Sequence, residues 1–595
     1  MLAQALAGSA AGPVTYAIVG LNHDHARGFV PGNKSRQDIQ LVGIAEPDRE
    51  LAMRYARDYK LSTNLFFANL EDMLEKVKPQ AVATFTSTFE HRRVVEICAE
   101  RGVHVMMEKP LAVSVEHALA METAAKKGGI QVIVNYETTW YPANHAAFEL
   151  VHAKQAVGEL RKIVVHDGHQ GPKEIGCSEN FLQWLTDPLL NGGGALTDFG
   201  CYGADLITWL MDGQRPTSVF AVTQQIKPEV YPKVDDEATI VLTYPQAQGI
   251  IQASWNWPFG RKDMEVYGRT GYVLVPEKDR LQVRTANSTE TQPAISPLVA
   301  PNNDPLSYLG AVVRGDVRPA GLSSLEINLI VTEILDAARE SARTGRRIEM
   351  PERLDTWHGY VRRHFVVDGC PAWVVEPKQA ASGNPWTWCM EFPDAFTERT
   401  GVLALLEKGF HHVHINVGNT HGCPAAVKHF ETFYNFLQAR GLAKRGTLIG
   451  ISRGGLYCYN FAAADPSRVA CIYGDAPVCD FKSWPGGKGN GPGSPDDWAA
   501  LIKNYGFESE AEALAYKRNP IDELAPLAAA KVALIHVVGD ADKAVPPEEN
   551  TLIVEQRYKA LGGPIVVIHK PDGDHHPHGL DDPKPIVDYI LEHSR

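Results

Sequence analysis

The chain has 595 residues, 44% of them hydrophobic and 22% charged, with a formal net charge of −13. That length exceeds one domain of roughly 100–200 residues, and the composition is too apolar for a disordered chain. The acidic balance excludes a chain-wide nucleic-acid footprint, and no apolar run approaches the roughly 20 residues of a membrane helix, so neither nucleic acid nor membrane is an expected partner.

Cysteines and the first residues add little. The nine cysteines include no C-x-x-C pair, which argues for free buried thiols, and no metal is expected. Met1–Gly12 is small and apolar but lacks a positive region, so it is not a complete signal peptide. A soluble protein is expected, with bacterial cytoplasm and periplasm both open.

From Val14 to Asn135 strand-like runs at Tyr16–Val19, Ile39–Ile44, Ala81–Thr84, Val103–Met107 and Gln131–Val134 alternate with helical stretches at Glu50–Tyr59, Leu70–Val77, His91–Arg101 and Val115–Lys127. This alternation predicts a parallel sheet covered on both faces over residues 13–135. Over residues 136–350 longer strands, such as Ala238–Tyr244 and Gly249–Trp255, predict an antiparallel sheet closed by a helix at Ser324–Ala342. The polar stretch Arg346–Leu354 reads as a linker.

Over residues 355–595 a second α/β run begins with a hairpin at Asp368-Gly369. Strand-like runs recur at His411–Val417, Thr447–Ile451, Val469–Tyr473, Val532–Val538 and Pro564–His569, with a Gly/Pro/Trp-rich insertion, Asp480–Leu527, as a candidate lid.

The first strand ends at Gly20, followed by Leu21-Asn22-His23-Asp24-His25. A dinucleotide loop wants G-x-G-x-x-G so that bare backbone can approach the pyrophosphate; here Gly20 alone stands in register, with Asn22 and His25 at the other glycine positions. Glu46, ending the second strand, suits the ribose hydroxyls of NAD and would repel a 2′-phosphate; a solvated strand-end acid is the plain alternative.

Glu108-Lys109-Pro110, with His91 upstream and Gly192-Gly193-Gly194-Ala195-Leu196-Thr197-Asp198 through Tyr202 downstream, resembles the glucose–fructose oxidoreductase and inositol dehydrogenase (Gfo/Idh/MocA) family over about Val14 to Met350. The resemblance implies an NAD site at Gly20, Asn22, His23, Glu46, His91, Glu108, Lys109 and Pro110. It implies a catalytic pair in Lys109 and Tyr202, a sugar-orienting Asp198, and association through the second sheet into a homo-oligomer. A tyrosine of ordinary pKa about 10 serves as base only if a cation lowers it, and Lys109 is the candidate. Tyr136 and Glu137, just past the last strand of the first sheet, are candidate substrate contacts. His166-Asp167-Gly168-His169 offers two histidines without a third spaced ligand and reads as a loop rather than a metal site; Asp235-Asp236-Glu237 reads as the start of a strand.

Gly450-Ile451-Ser452-Arg453-Gly454 is G-x-S-x-G between a strand and a helix. The glycines are required because the nucleophile sits on a strained turn. Partners follow in the order serine, acid, histidine: Gly539-Asp540-Ala541-Asp542 after one strand and Asp574-His575-His576 after the next. These loops resemble α/β-hydrolase esterases and prolyl-oligopeptidase-like peptidases. The resemblance implies a triad of Ser452, Asp542 and His575, with Asp540, Asp475 and His576 as alternatives. Oxyanion donors are expected at the Arg453 N–H and near Cys389 and Met390. Arg453 after the serine resembles glucuronoyl esterases and implies a contact to a carbohydrate ester; a structural arginine is the alternative.

Together these readings describe a serine carboxylesterase, with a small-molecule or oligosaccharide ester as substrate, fused to an NAD-dependent sugar oxidoreductase. Two alternatives stand beside it: an esterase carrying a non-catalytic oxidoreductase-like module, and an NAD-dependent glycosidase fused to an esterase.

Overall fold

The computed structural model describes residues 12–30 and 36–594. The leader reading for Met1–Gly12 falls almost wholly outside them. The chain divides into two compact units, Met1–Met350 and Pro351–Arg595.

The first unit opens with six strands: β1 (Val14–Val19), β2 (Ile39–Ala45), β3 (Phe66–Phe67), β4 (Ala81–Thr84), β5 (His104–Glu108) and β6 (Val132–Asn135). They form one parallel sheet in the order β3-β2-β1-β4-β5-β6. The order reverses between β1 and β4, and ligands of such sheets bind at the carboxyl ends beside that point. Gly20 and Glu46 follow β1 and β2 there, and Glu108 ends β5. The helices start where capping side chains allow: Asp48 accepts from Glu50 and Leu51 N–H to begin Arg49–Asp58, and Ser114 accepts from His117 N–H to begin Val115–Gly128.

The second sheet contains β7 (Leu160–Gly168), β8 (Ser218–Gln224), β9 (Glu237–Thr243), β10 (Gln248–Ser254), β11 (Arg261–Gly268), β12 (Gly271–Glu277), β13 (Arg280–Thr285) and β14 (Ile348–Glu349). Its order is β13-β12-β11-β7-β10-β9-β8-β14. The pairing is antiparallel as expected except between β7 and β10, which run parallel. Helices Gly200–Leu210 and Leu325–Thr344 pack on it. The linker reading of Arg346–Leu354 is corrected: Ile348 and Glu349 pair with Val219 and Ser218, and Arg353 already starts the next sheet.

The second unit contains β15 (Arg353–Trp357), β16 (Tyr360–Val367), β17 (Cys370–Val375), β18 (Trp386–Glu391), β19 (His411–Ile415), β20 (Gly446–Ile451), β21 (Val469–Asp475), β22 (Ala533–Gly539) and β23 (Ile565–Lys570). The order is β15-β16-β17-β19-β18-β20-β21-β22-β23, antiparallel at the β15–β17 end and parallel from β19 onward. Asp368 and Gly369 both take positive φ, 51° and 75°, as a two-residue hairpin turn requires. The insertion Asp480–Leu527 is not a bare loop. It folds helices Pro495–Tyr505 and Glu510–Ala515, and Phe481, Trp498 and Leu501 enter the core of this unit.

Candidate active sites

In the first unit, the chain leaves β5 at Glu108 and turns through Lys109 and Pro110, all buried. Lys109 Nζ reaches Asp198 Oδ1 at 2.5 Å and the Asp198 carbonyl at 3.1 Å, while Trp255 Nε1 donates to Asp198 Oδ2 at 3.0 Å. Burial opposes both charges, but each partner outweighs it: the Lys109 pKa is raised and the Asp198 pKa lowered. Asp198 is held there by a built turn. Asp235 accepts from Gly194 N–H at 3.0 Å and Leu196 N–H at 2.7 Å. A Cβ on Gly194 would lie 1.8 Å from the Asp235 carbonyl, so the glycine is obligatory. Tyr202, on the helix that follows, lies beneath two ammonium groups, Lys262 at 4.4 Å and Lys109 at 5.2 Å from its ring centre. Lys262 also pairs with Glu137 at 2.6 Å.

In the second unit, Ser452 follows β20 with φ +52°, a left-handed conformation that strains a serine. A Cβ on Gly450 would come within 2.9 Å of Cys458 Sγ and the Gly454 carbonyl, and one on Gly455 within 2.6 Å of the Val478 carbonyl. The turn therefore closes only around glycine. Ser452 Oγ lies 3.0 Å from His575 Nε2, and His575 Nδ1 lies 2.7 Å from Asp542 Oδ2. Asp542 Oδ1 accepts from Ala544 and Val545 N–H, both at 2.9 Å, which leaves Oδ2 aimed at the imidazole. A proton on Nδ1 facing the carboxylate leaves Nε2 as acceptor for the serine hydroxyl. The alternatives are occupied elsewhere: Asp540 pairs with His569, Asp475 with His578, each at 2.7 Å, and the His576 ring faces Phe396.

Residues 14–136 match the model described as an oxidoreductase family with an NAD-binding Rossmann fold, and residues 146–274 match the Gfo/Idh/MocA C-terminal domain. Residues 14–274 are a Gfo/Idh/MocA oxidoreductase module. The chain is 26% identical over 220 residues to the trans-1,2-dihydrobenzene-1,2-diol dehydrogenase of Sus scrofa, covering 37% of this chain and 60% of that protein. The Xenopus tropicalis enzyme of the same name is 24% identical over 240 residues, covering 40% of this chain and 68% of its own. The match thus spans about 60% of the pig protein's length. An inositol dehydrogenase homolog from Azotobacter vinelandii, solved with NAD+, superposes with a TM-score of 0.50 at 18% identity, covering 57% of this chain and 98% of its own. That likeness is one of fold.

Within the Gfo/Idh/MocA module the glycine loop fits a dinucleotide in part. Gly20 has φ +77°, and a Cβ there would stand 2.6 Å from Thr86 Cγ2. Asn22 Oδ1 is buried without a partner among the described residues, an acceptor left for a ligand. Other loop residues act differently from the expectation. His23 is buried against Phe181 and Trp184, and its Nδ1 accepts from His25 N–H, so it packs the loop rather than facing a cofactor. The Glu46 carboxylate accepts from Leu21 N–H at 2.7 Å and Asp48 N–H at 2.8 Å, so it braces the loop first. His91, pushed down to about 4 by burial, is neutral and bonds the Leu111 carbonyl, fixing the segment after Pro110. Glu108 bridges His25 at 2.9 Å and Asn135 at 2.7 Å.

Further corrections follow from packing. Tyr136 is fully buried and donates to Asn328 at 2.9 Å, so it does not face substrate. Lys109 is spent on Asp198, and burial with the nearby Asp167 pushes the Tyr202 phenol well above its ordinary range. The expected lowering of Tyr202 by Lys109 is therefore absent. His166 pairs with Asp263 of β11, at 2.8 Å. In the second unit Cys389 lies inside β18, since that strand continues to Glu391, and so it is no oxyanion donor. The residue leaving the strand is Phe392, at φ +57°. The Arg453 guanidinium grips Glu391 at 2.6 and 2.9 Å, with Asp497 at 3.7 Å, and so it is already charge-matched. Sequence reasoning missed Lys262, Trp255 and Glu391. Their signal lies in sheet register and not in any local motif.

Proposed function

We propose that the chain is a bifunctional carbohydrate-active enzyme, a serine carboxylesterase of α/β-hydrolase type in residues 355–595 fused to an NAD-dependent oxidoreductase of sugar carbinols. The observation that carries the esterase is the continuous line Ser452–His575–Asp542, with contacts of 3.0 and 2.7 Å. The strand order supports it, with nucleophile, acid and histidine following β20, β22 and β23.

In the esterase, His575 Nε2 takes the Ser452 proton as Oγ attacks the ester carbonyl, then returns it to the departing alcohol; Asp542 holds the imidazole and stabilises its cation. Water repeats the sequence to release the acid. The backbone N–H of Arg453, directly after the nucleophile, and that of Phe392, the first residue past β18, are the oxyanion donors in this reading. Because the Arg453 charge is met by Glu391 and Asp497, a neutral carbohydrate ester fits better than one relying on a uronate contact. Ser452→Ala should lower hydrolysis of p-nitrophenyl acetate by roughly 10⁵-fold or more while leaving NAD binding unchanged. Retained turnover would mean another nucleophile.

In the oxidoreductase, Gly20, Asn22, Lys109 and Pro110 would hold the dinucleotide. A bound nicotinamide supplies the hydride acceptor. Lys109 and Asp198 orient the carbinol, and Tyr202 stays neutral as a hydrogen-bond donor to it. The trans-1,2-dihydrobenzene-1,2-diol dehydrogenases act on a cyclic diol by name, which supports a vicinal-diol or polyol substrate here. Titrating NAD against tryptophan fluorescence tests this half. A second reading, a module without turnover, is favoured by the His25–Glu108 bridge across the altered loop. No quenching at millimolar NAD and no nucleotide released on denaturation would decide for it.

A further inference from the structure

Asp167 lies near the end of β7, directly opposite Lys262 of β11. Strand alternation gives it the same face as Ile163 and Val165, which enter the core with helix Gly200–Leu210 and its Tyr202. It is 1% exposed, and neither carboxyl oxygen has a hydrogen-bond partner among the described residues. Such orphaned buried carboxyls are rare and call for a ligand or a chemical role. The other acids of the site are engaged: Asp198 with Lys109, Glu137 with Lys262, and Glu108 with His25 and Asn135. Thr138 Oγ1, also without a partner, lines the same small cavity as Asp167 and Lys262. The cavity holds ≈ 10 Å³, room for one hydroxyl or water oxygen and not for a carboxylate.

We infer that Asp167 is a further catalytic residue of the oxidoreductase module, the group that takes the hydroxyl proton of a neutral polyol while Lys262 and Thr138, which line the same cavity, hold that hydroxyl. This rests on the oxidoreductase reading above. The step would balance with a bound oxidised nicotinamide as acceptor of the carbinol hydrogen and its electron pair; the part of this chain is to take the O–H proton onto the Asp167 carboxylate as the carbonyl double bond forms. Asp167 then releases the proton to solvent before the next turnover. A uronate would bring a second anion to a site whose two ammonium groups are already matched, so neutral polyols are the substrate class.

The electrostatics agree with this geometry. Burial pushes the Asp167 carboxyl up to about 8, opposed by Lys262 and Lys109 and reinforced by Asp198 and Glu137. Cys201, Tyr202 and Tyr141 also face it, and the charge of Asp167 holds each of their protons on more tightly. Asp167 therefore ionises before Tyr202. Below pH 8 it is neutral and cannot accept a proton; above pH 8 it can. Oxidation should rise as pH passes 8, and carbonyl reduction should fall.

The experiment compares the full-length protein with Asp167→Asn and Asp167→Ala. It reads NAD binding by fluorescence, the pH profile of NAD-linked oxidation of myo-inositol and glucose against glucuronate, and carboxyl titration by infrared difference spectroscopy. The expected result is unchanged NAD affinity, a loss of roughly 100-fold in kcat for both variants, and loss of the alkaline rise. A carboxyl band titrating near pH 8 should vanish in Asp167→Asn, and wild type should prefer the neutral sugars. An intact alkaline rise and carboxyl band in Asp167→Asn, with NAD still bound, would overturn this inference alone. Absence of NAD binding in wild type would overturn the oxidoreductase reading and this inference with it.

Discussion

Ser452 shows how one residue's conformation becomes chemistry. Its φ of +52° is tolerated because Gly450, Gly454 and Gly455 let the following helix close against the strand. Gly450→Ala should destabilise the second unit by about 1–3 kcal/mol and remove ester turnover, since its methyl meets the Gly454 backbone and Cys458 at 2.9 Å. Denaturant unfolding and the ester assay check both. Asp542→Asn should keep the fold and lower kcat by about 10⁴-fold, because the amide can present its N–H to His575 and select the wrong tautomer. Serine, acid and histidine were legible because each stands in a local loop pattern. Which of His575 and His576 reaches Ser452 was open in the sequence; in the structure the His575 ring lies against Ser452 and the His576 ring faces Phe396. The partner of Arg453 was not legible at all, because Glu391 belongs to a different strand, 62 positions away.

At the scale of elements, the turn carrying Asp198 depends on a loop some forty residues downstream in the chain. Asp235→Ala removes two hydrogen bonds that the Gly194 and Leu196 N–H groups donate to its partly buried carboxylate and should cost about 2 kcal/mol of stability in the first unit, read by thermal unfolding. The loss of sugar oxidation should exceed the loss of NAD affinity, since the role proposed for Asp198 is to orient substrate. Gly20→Ala should do the reverse: at φ +77° and 2.6 Å from Thr86, a methyl displaces the loop that receives the dinucleotide, so NAD binding should weaken first. Five of the six strands of the first sheet were readable, because buried parallel strands are short apolar runs between amphipathic helices; the two-residue edge strand Phe66–Phe67 is too short to show such a run. The second sheet was readable only in part. Its partly exposed strands gave Lys262 no pattern that marks it as facing Tyr202.

At the scale of the whole molecule, each unit closes its own hydrophobic cores, residues 14–350 in one and 357–590 in the other. A chain severed between Met350 and Pro351 should therefore give a C-terminal fragment that retains ester hydrolysis, measured on the purified fragment; an insoluble or inactive fragment would count against independent folding. The stretch Arg346–Leu354 reads as a linker because its charged residues mask a two-residue edge strand, Ile348–Glu349.

The amino-acid sequence by itself determined the α/β character of the chain's two ends, the Gfo/Idh/MocA motifs and the order of Ser452, Asp542 and His575. These are local patterns, written in turns, caps and periodicity over a few residues. Only the tertiary structure decided which charges face one another: Lys109 with Asp198, Arg453 with Glu391, and Asp167 left unpaired beside Lys262. Such pairings depend on strand register and on burial, and burial multiplies the energy of each charge while leaving no mark on the residues nearby in sequence.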